Sequence, residues 1–272
     1  MNILYRNTFQ RIFGTYPLKD EVLNSAVSAA LSVGYRAFDT AQMYGNERDL
    51  GNALARTAVK RDELCIITKV QPKNFDEQKF MSSVEESLND LRLEFVDVLL
   101  LHWPPSDGAI VPPLKMLETC HRSGLARNIG VSNFNARMMR EAKSAISTPL
   151  IVNQIEFHPL LNQDKLMQAS CETGIPLSAY CSVARGEVFK QKLFDELAYD
   201  YGVVPSQIVL RWILQKGVTV NTMSTKPENM KTNFDIMNFN LSNVDMKRID
   251  ELTLTNFRVV SSKASVFSPD WN

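Results

Sequence analysis

The stretch Arg11-Ile12-Phe13-Gly14-Thr15-Tyr16-Pro17 (RIFGTYP) decides between two α/β architectures. It reads as a short apolar strand, 11–14, that runs directly into Thr15-Tyr16-Pro17. A doubly wound sheet normally follows its first strand with a Gly-rich dinucleotide turn, and GxGxxG occurs nowhere in this chain. Outward from this stretch the same unit recurs: a short β-branched apolar run, a polar tip, then an amphipathic segment. Further runs fall at 35–38, 65–69, 95–102, 127–131, 151–156, 176–180 and 218–222. With the first they make eight, the number that a (β/α)8 TIM barrel requires.

The segments between the runs carry helix periodicity. Phe80, Val84, Leu88 and Leu91 form one apolar face with polar residues opposite. Gly34, Gly124, Gly174 and Gly217 each close such a segment just before the next run, where a residue beyond the helix end takes positive φ. No Pro/Gly/Ser linker divides the chain, so a single barrel domain over 1–272 is expected.

Composition narrows the function classes. Of 272 residues 44% are hydrophobic and 22% charged, and 30 basic side chains balance 30 acidic ones. A neutral chain without a Lys/Arg run gives no reason to expect nucleic acid or an anionic membrane as a partner. The opening MNILYRNTFQRIFGTY lacks the apolar core of a signal peptide, and no run is long enough to span a bilayer. Cys65, Cys120, Cys171 and Cys181 show no CxxC spacing and read as free thiols in a reducing compartment. A cytoplasmic monomer acting on a small molecule is the expectation.

In a barrel of this kind the active site forms at the C-terminal ends of the strands. Those ends carry Tyr16, Asp39, Lys69, His102-Trp103, Ser132-Asn133, Gln154, Tyr180 and Ser224. Singly, each has a plainer reading: a turn Asp, a solvated Lys, a packed His-Trp. Together with Tyr44, just beyond Asp39, they make an acid system. A phenol with an ordinary pKa of about 10 is a poor proton donor at neutral pH. An ammonium at about 4 Å is worth about 4 kcal/mol at an intermediate dielectric, enough to lower that pKa by about three before desolvation is counted. Lys69 stays charged in a dry site only if paired, and Asp39 is its natural partner. His102 is placed to orient a carbonyl oxygen beside the phenol.

The motifs GYRAFDTAQMYGNE (34–47), ITKV (67–70), LLLHWP (99–104), IGVSNF (129–134) and VNQIEFHP (152–159) resemble the aldo/keto reductase superfamily. The likeness runs from residue 14 to residue 271. The short chain and the closing FSPDW resemble the bacterial 2,5-diketogluconate reductase B branch within it. The resemblance places the family's catalytic tetrad on Asp39, Tyr44, Lys69 and His102. It places the nicotinamide carboxamide on Ser132, Asn133 and Gln154, with the ring stacked on Tyr180, and Tyr16 and Trp103 against the substrate.

Two departures stand out. The family's Ser-Pro-Leu beside the pyrophosphate is here Cys181-Ser182-Val183, of which Ser182 and the backbone amides remain to serve. Around the 2′-phosphate, Met223 and Asn229 stand where lysine and arginine are common, while Ser224, Thr225 and Asn233 match and Lys226 supplies a substitute charge. NADPH is the expected cofactor, with NADH possible, because Lys226 leads into a helix N-terminus suited to phosphate. The resemblance implies reduction of aldehydes or ketones, with 2,5-diketogluconate and small reactive carbonyls such as methylglyoxal as candidates. The segment 257–272, with Arg258, Lys263 and Trp271, is expected to wall the substrate pocket. A basic residue there suits a carboxylate. The alternative is a non-catalytic, NADPH-binding barrel that serves as a sensing or binding subunit. A metal-dependent hydrolase finds no support, since His102, His121 and His158 show no ligand spacing; His158 reads as structural.

Overall fold

The computed structural model describes residues 2–261 and 267–271. Parallel strands β1 (Arg11–Gly14), β2 (Ala37–Asp39), β3 (Cys65–Val70), β4 (Val98–Leu101), β5 (Ile129–Ser132), β6 (Leu150–Glu156), β7 (Leu177–Tyr180) and β8 (Thr219–Thr222) follow one another around a closed barrel, β8 pairing back onto β1. Helices α1 (Asp20–Val33), α2 (Glu47–Ala55), α3 (Glu77–Leu91), α4 (Val111–Arg122), α5 (Ala136–Ala145) and α6 (Asp164–Thr173) each follow one strand. Both α7 (Lys192–Tyr201) and α8 (Pro205–Gln215) lie between β7 and β8; α9 (Pro227–Phe234) and α10 (Asn243–Leu252) come after β8. This is the single (β/α)8 barrel that the sequence pattern requires.

Strand alternation sorts the core into two layers. Ile12, Ala37, Cys65, Ile67, Val98, Leu100 and Val152 form the barrel interior, closed from below by Leu4 and Phe9 of the N-terminal segment. That plug is held by hydrogen bonds from Asn2 Nδ2 to the Ile151 carbonyl (2.6 Å) and from Tyr5 Oη to the Leu177 carbonyl (2.6 Å). Their strand neighbours Phe13, Phe38, Ile66, Leu99 and Leu101 face outward into the second layer, against helix residues such as Leu23, Leu50, Phe80 and Leu117. Burying each such side chain is worth about 1.5–3 kcal/mol. At Gly130, paired with Leu100, a Cβ would come within 2.7 Å of the Val152 side chain and carbonyl, so only glycine fits this inward position.

Several strands start later than the runs suggest, and for β2 and β4 the hydrogen bonding shows why. The run at 35–38 begins as strand only at Ala37, because Tyr35 N–H bonds the Ala30 carbonyl and completes the α1 terminus beyond Gly34, at φ 119°. The run at 95–102 shortens to Val98–Leu101: Asp97 uses its carboxylate to accept the Ile66 N–H, so a side chain replaces part of the ladder.

Candidate active site

The inward parity of the strands carries straight into the polar residues at their C-terminal ends. Asp39 lies two positions beyond Ala37, Lys69 two beyond Ile67, His102 two beyond Leu100, and Gln154 two beyond Val152. A period of two residues therefore aims all four at the barrel mouth. Lys69 is fully buried, and its Nζ reaches Asp39 Oδ1 at 2.5 Å, the Thr40 carbonyl at 3.0 Å and Tyr44 Oη at 3.4 Å. Asp39 Oδ2 accepts from Gln154 Nε2 at 2.8 Å. His102 meets the Tyr44 ring edge-on at 5.5 Å between centroids and lies along Trp103 at 6.3 Å. Tyr16, largely exposed on the loop after β1, leans on Tyr44 at 5.1 Å.

The electrostatics correct one expectation. The Tyr44 phenol is not lowered in this resting site: burial raises it, and Lys69 offsets only part of that rise. Besides burial, the adjoining Asp39 carboxylate works against the ammonium and pushes the phenol up. Burial alone would lower Lys69, yet Asp39 and Tyr44 outweigh it and keep the ammonium above its ordinary value, hence charged. Burial, helped by the Lys69 charge, holds His102 well below the usual imidazole range, so it is neutral at pH 7. Its Nδ1 is buried and has no hydrogen-bond partner among the described residues.

A polar scaffold that the strand-end reading missed fixes the Tyr44 loop. Tyr44 ends a 3-10 turn, Gln42–Tyr44, stopped by Gly45 at φ 62°. Asn46 gives Nδ2 to the Leu18 carbonyl (2.8 Å) and accepts from Thr40 Oγ1 (2.7 Å). Gln42 Oε1 takes the Gln71 N–H and Asn74 Nδ2, both at 3.0 Å. Glu47, buried at the start of α2, accepts from Thr68 Oγ1 (2.5 Å) and Ser87 Oγ (3.1 Å). The only sequence signal was their crowding between a strand end and a helix start, a pattern shared with ordinary caps.

A second cluster lies across the mouth. Asn133, at φ 62°, gives Nδ2 to the His102 carbonyl (2.9 Å) and accepts from Tyr180 Oη (2.7 Å). Ser132 Oγ bonds the Gln154 carbonyl at 2.8 Å. Ser132, Asn133 and Gln154 thus converge, and an amide ligand presents the two donors and one acceptor that such a set can read. Gln154 gives one Nε2 hydrogen to Asp39, which leaves a second N–H to donate and Oε1 to accept. These residues fit a nicotinamide carboxamide. Ser182 is buried, and its hydroxyl bonds the Asn221 carbonyl (3.0 Å), which ties β7 to β8. After β8, Ser224 Oγ accepts the Lys226 N–H (3.1 Å); Met223, Thr225, Lys226 and Asn229 are exposed and Asn233 is half-buried at the α9 end.

The C-terminal segment returns to the same face. Val259 and Val260 N–H bond the buried Glu156 carboxylate, and Asn135 Nδ2 bonds the Asp270 carbonyl at 2.8 Å. Arg258 is half-buried with its guanidinium 4.2 Å from the Trp271 ring centroid, rather than free in solvent. Lys263 lies outside the described residues. His158 is buried against Glu156, as its structural reading holds. Among the described residues no cluster of His, Cys, Asp or Glu is arranged to hold a metal, no helix is long and apolar enough to cross a membrane, and all four cysteines are free.

Known proteins resemble this chain in sequence and fold. Residues 11–253 match the model of the aldo/keto reductase family. The chain is 38% identical over 262 residues to methylglyoxal reductase DkgB of Escherichia coli O157:H7, covering 95% of this chain and 97% of that one. It is 38% identical over 230 residues to an aldo-keto reductase of Mycobacterium tuberculosis, covering 84% and 82%. A crystal structure provisionally named 2,5-diketo-D-gluconic acid reductase B superposes with a TM-score of 0.93 at 35% identity, covering 97% of this chain and 93% of that one. The chain belongs to the aldo/keto reductase family and is an oxidoreductase that reduces carbonyls.

Proposed function

We propose that the protein is an NADPH-dependent reductase of aldehydes and ketones in which Tyr44 is the general acid. The observation that carries this reading is the contact chain from buried Asp39 and Lys69 to half-buried Tyr44, with neutral His102 beside it. A bound reduced nicotinamide supplies the hydride. The chain supplies everything else. His102 and Tyr44 hydrogen-bond the carbonyl oxygen and set its orientation. As charge builds on that oxygen it becomes far more basic than a phenolate, and Tyr44 gives it the proton. The phenolate left behind is the moment at which Lys69 matters most, since its ammonium lies 3.4 Å from the new charge. Stabilising a charge that exists only late in the reaction raises kcat rather than substrate affinity. Asp39 keeps Lys69 protonated and, through Gln154, ties this acid system to the carboxamide-reading cluster.

NADPH over NADH is the reading we favour because Lys226 and the α9 N-terminus present a cation and open backbone N–H groups beside Ser224 and Thr225. Tyr16, Trp103 and the C-terminal segment form the substrate walls. The names of the relatives point to methylglyoxal and 2,5-diketogluconate as acceptors. We place the protein in the cytoplasm as a monomer.

The test is steady-state oxidation of NADPH and NADH with methylglyoxal, an aromatic aldehyde and 2,5-diketogluconate, alongside Tyr44→Phe. Turnover that disappears in the variant supports the assignment, and the acceptor ranking names the substrate class. Tight NADPH binding without turnover of any acceptor would instead make the barrel a binding subunit.

A further inference from the structure

Glu156 closes β6, two residues beyond Gln154, and no part of the proposed chemistry uses it. It is fully buried, although a carboxylate in such a place is costly unless every lone pair finds a donor. Oε1 accepts from Val259 N–H (2.6 Å) and His158 Nε2 (2.9 Å), and Oε2 from Val260 N–H (2.8 Å). The Leu160 N–H points at His158 Nδ1 (3.3 Å), which leaves the ring proton on Nε2, facing the carboxylate. Burial alone would raise the Glu156 carboxyl, but these three donors hold it below the ordinary range and therefore ionised.

Two of the three donors come from the C-terminal segment, more than a hundred residues further along the chain. The same segment is docked at Phe257, whose N–H bonds the Leu160 carbonyl (2.7 Å). In the β6–β7 pairing Glu156 lies opposite Tyr180, the residue that bonds Asn133. Arg258, between the docked Phe257 and Val259, places its charge near both Glu156 and Tyr180.

We propose that Glu156 is a positioning residue: it anchors segment 257–261 against the Tyr180 side of the barrel mouth and thereby sets how tightly a carbonyl substrate is held. This rests on the reading of that mouth as a carbonyl-reducing site. No hydrogen bond joins Glu156 to Tyr44, Lys69 or His102, so the anchor acts on substrate binding and leaves proton transfer alone.

Two substitutions attack the anchor from opposite sides. Glu156→Gln keeps the shape but turns one acceptor oxygen into a donor, which must face either the Val260 N–H or the Val259 N–H and His158 together. Val260→Pro removes one N–H from the segment and leaves β6 intact. Full-length wild type and both variants are compared by amide hydrogen exchange over 257–261, by NADPH fluorescence titration and by methylglyoxal kinetics.

The expected result is exchange about 10-fold faster in that segment, as local opening becomes easier. KM for methylglyoxal rises about 10-fold, while kcat and the NADPH Kd stay within about two-fold. Unchanged exchange in both variants overturns the anchor. Faster exchange with an unchanged KM, or with the loss falling on kcat or on NADPH binding, overturns its role at the substrate wall. If Glu156→Gln does not fold, Val260→Pro decides alone. If the wild type reduces no carbonyl, the proposed function fails and takes the substrate role with it, while exchange still judges the anchor.

Discussion

On the reading that Tyr44 is the general acid, the proton to be given away and the charge that makes giving it possible belong to different residues. Burial keeps the phenol protonated in the resting site, and Lys69 lowers the cost of the phenolate that follows. Tyr44→Phe removes the proton and not the pocket. It should lower kcat by about 10²–10⁴-fold, the range of general acid catalysis, and leave the NADPH Kd nearly unchanged. Single-turnover rates with a fluorescence titration read the two effects separately. His102 yields a second prediction. Its depressed pKa keeps it neutral through the range where an ordinary imidazole, near 6.5, gains a proton. A plot of kcat/KM against pH should therefore be flat from about pH 6 to pH 8. Loss of activity between pH 7 and 6 would put the proton on His102 and remove its role as a neutral donor. Asp39, Lys69, His102 and Gln154 were legible because parity aims them, each polar strand end continuing an inward apolar series. The sign of the Tyr44 shift was not, because it is set first by the desolvation of the phenol in the folded mouth, which no spacing encodes.

Elements were legible where local chemistry sets their limits and less so where a distant partner does. The strand at Arg11–Gly14 begins and ends as its apolar run does. The run at 95–102 does not, because the Asp97 carboxylate reaches across to β3. The C-terminal segment was expected only as a wall of the pocket; its hydrogen bonds to Glu156 were not legible, because they join β6 to residues more than a hundred positions further on. On the proposed reading, the loop from β8 into α9 is the element on which cofactor choice turns. Lys226 is its exposed N-cap residue, with Met223 three residues earlier and also exposed. A lysine at 223 adds a charge-assisted hydrogen bond to a 2′-phosphate, worth about 1.5–3 kcal/mol, and NADH has no group to receive it. Met223→Lys should tighten NADPH by about 10-fold or more and leave the NADH Kd unchanged. An unchanged ratio of the two constants would mean that the 2′-phosphate is held elsewhere.

Stability of the whole molecule carries a pH dependence from a group outside the chemistry. Glu47 is buried at the start of α2, bridging Thr68 of β3 and Ser87 of α3, so it joins barrel to helical layer behind the Tyr44 loop. Burial raises its carboxyl from 4.5 to about 7, more than the two hydroxyl donors lower it. In the unfolded chain the group ionises near its ordinary value, whereas the folded protein holds the proton until about pH 7. Between those values the native state binds more protons than the unfolded state, so stability falls as pH rises and levels off above the folded pKa. The difference amounts to about 3 kcal/mol. Glu47→Gln abolishes the titration and keeps both bridges, since the Ser87 hydroxyl can turn to accept from the new amide. Relative to wild type, the variant should therefore gain about 3 kcal/mol in unfolding free energy between pH 4 and pH 8, with most of the change at pH 5–7. Urea unfolding of both proteins at pH 4, 6 and 8 reads this directly, and the comparison cancels every titration that the two share. A difference that stays constant across the three pH values would show that Glu47 is ionised in the folded barrel, with Thr68 and Ser87 carrying its charge.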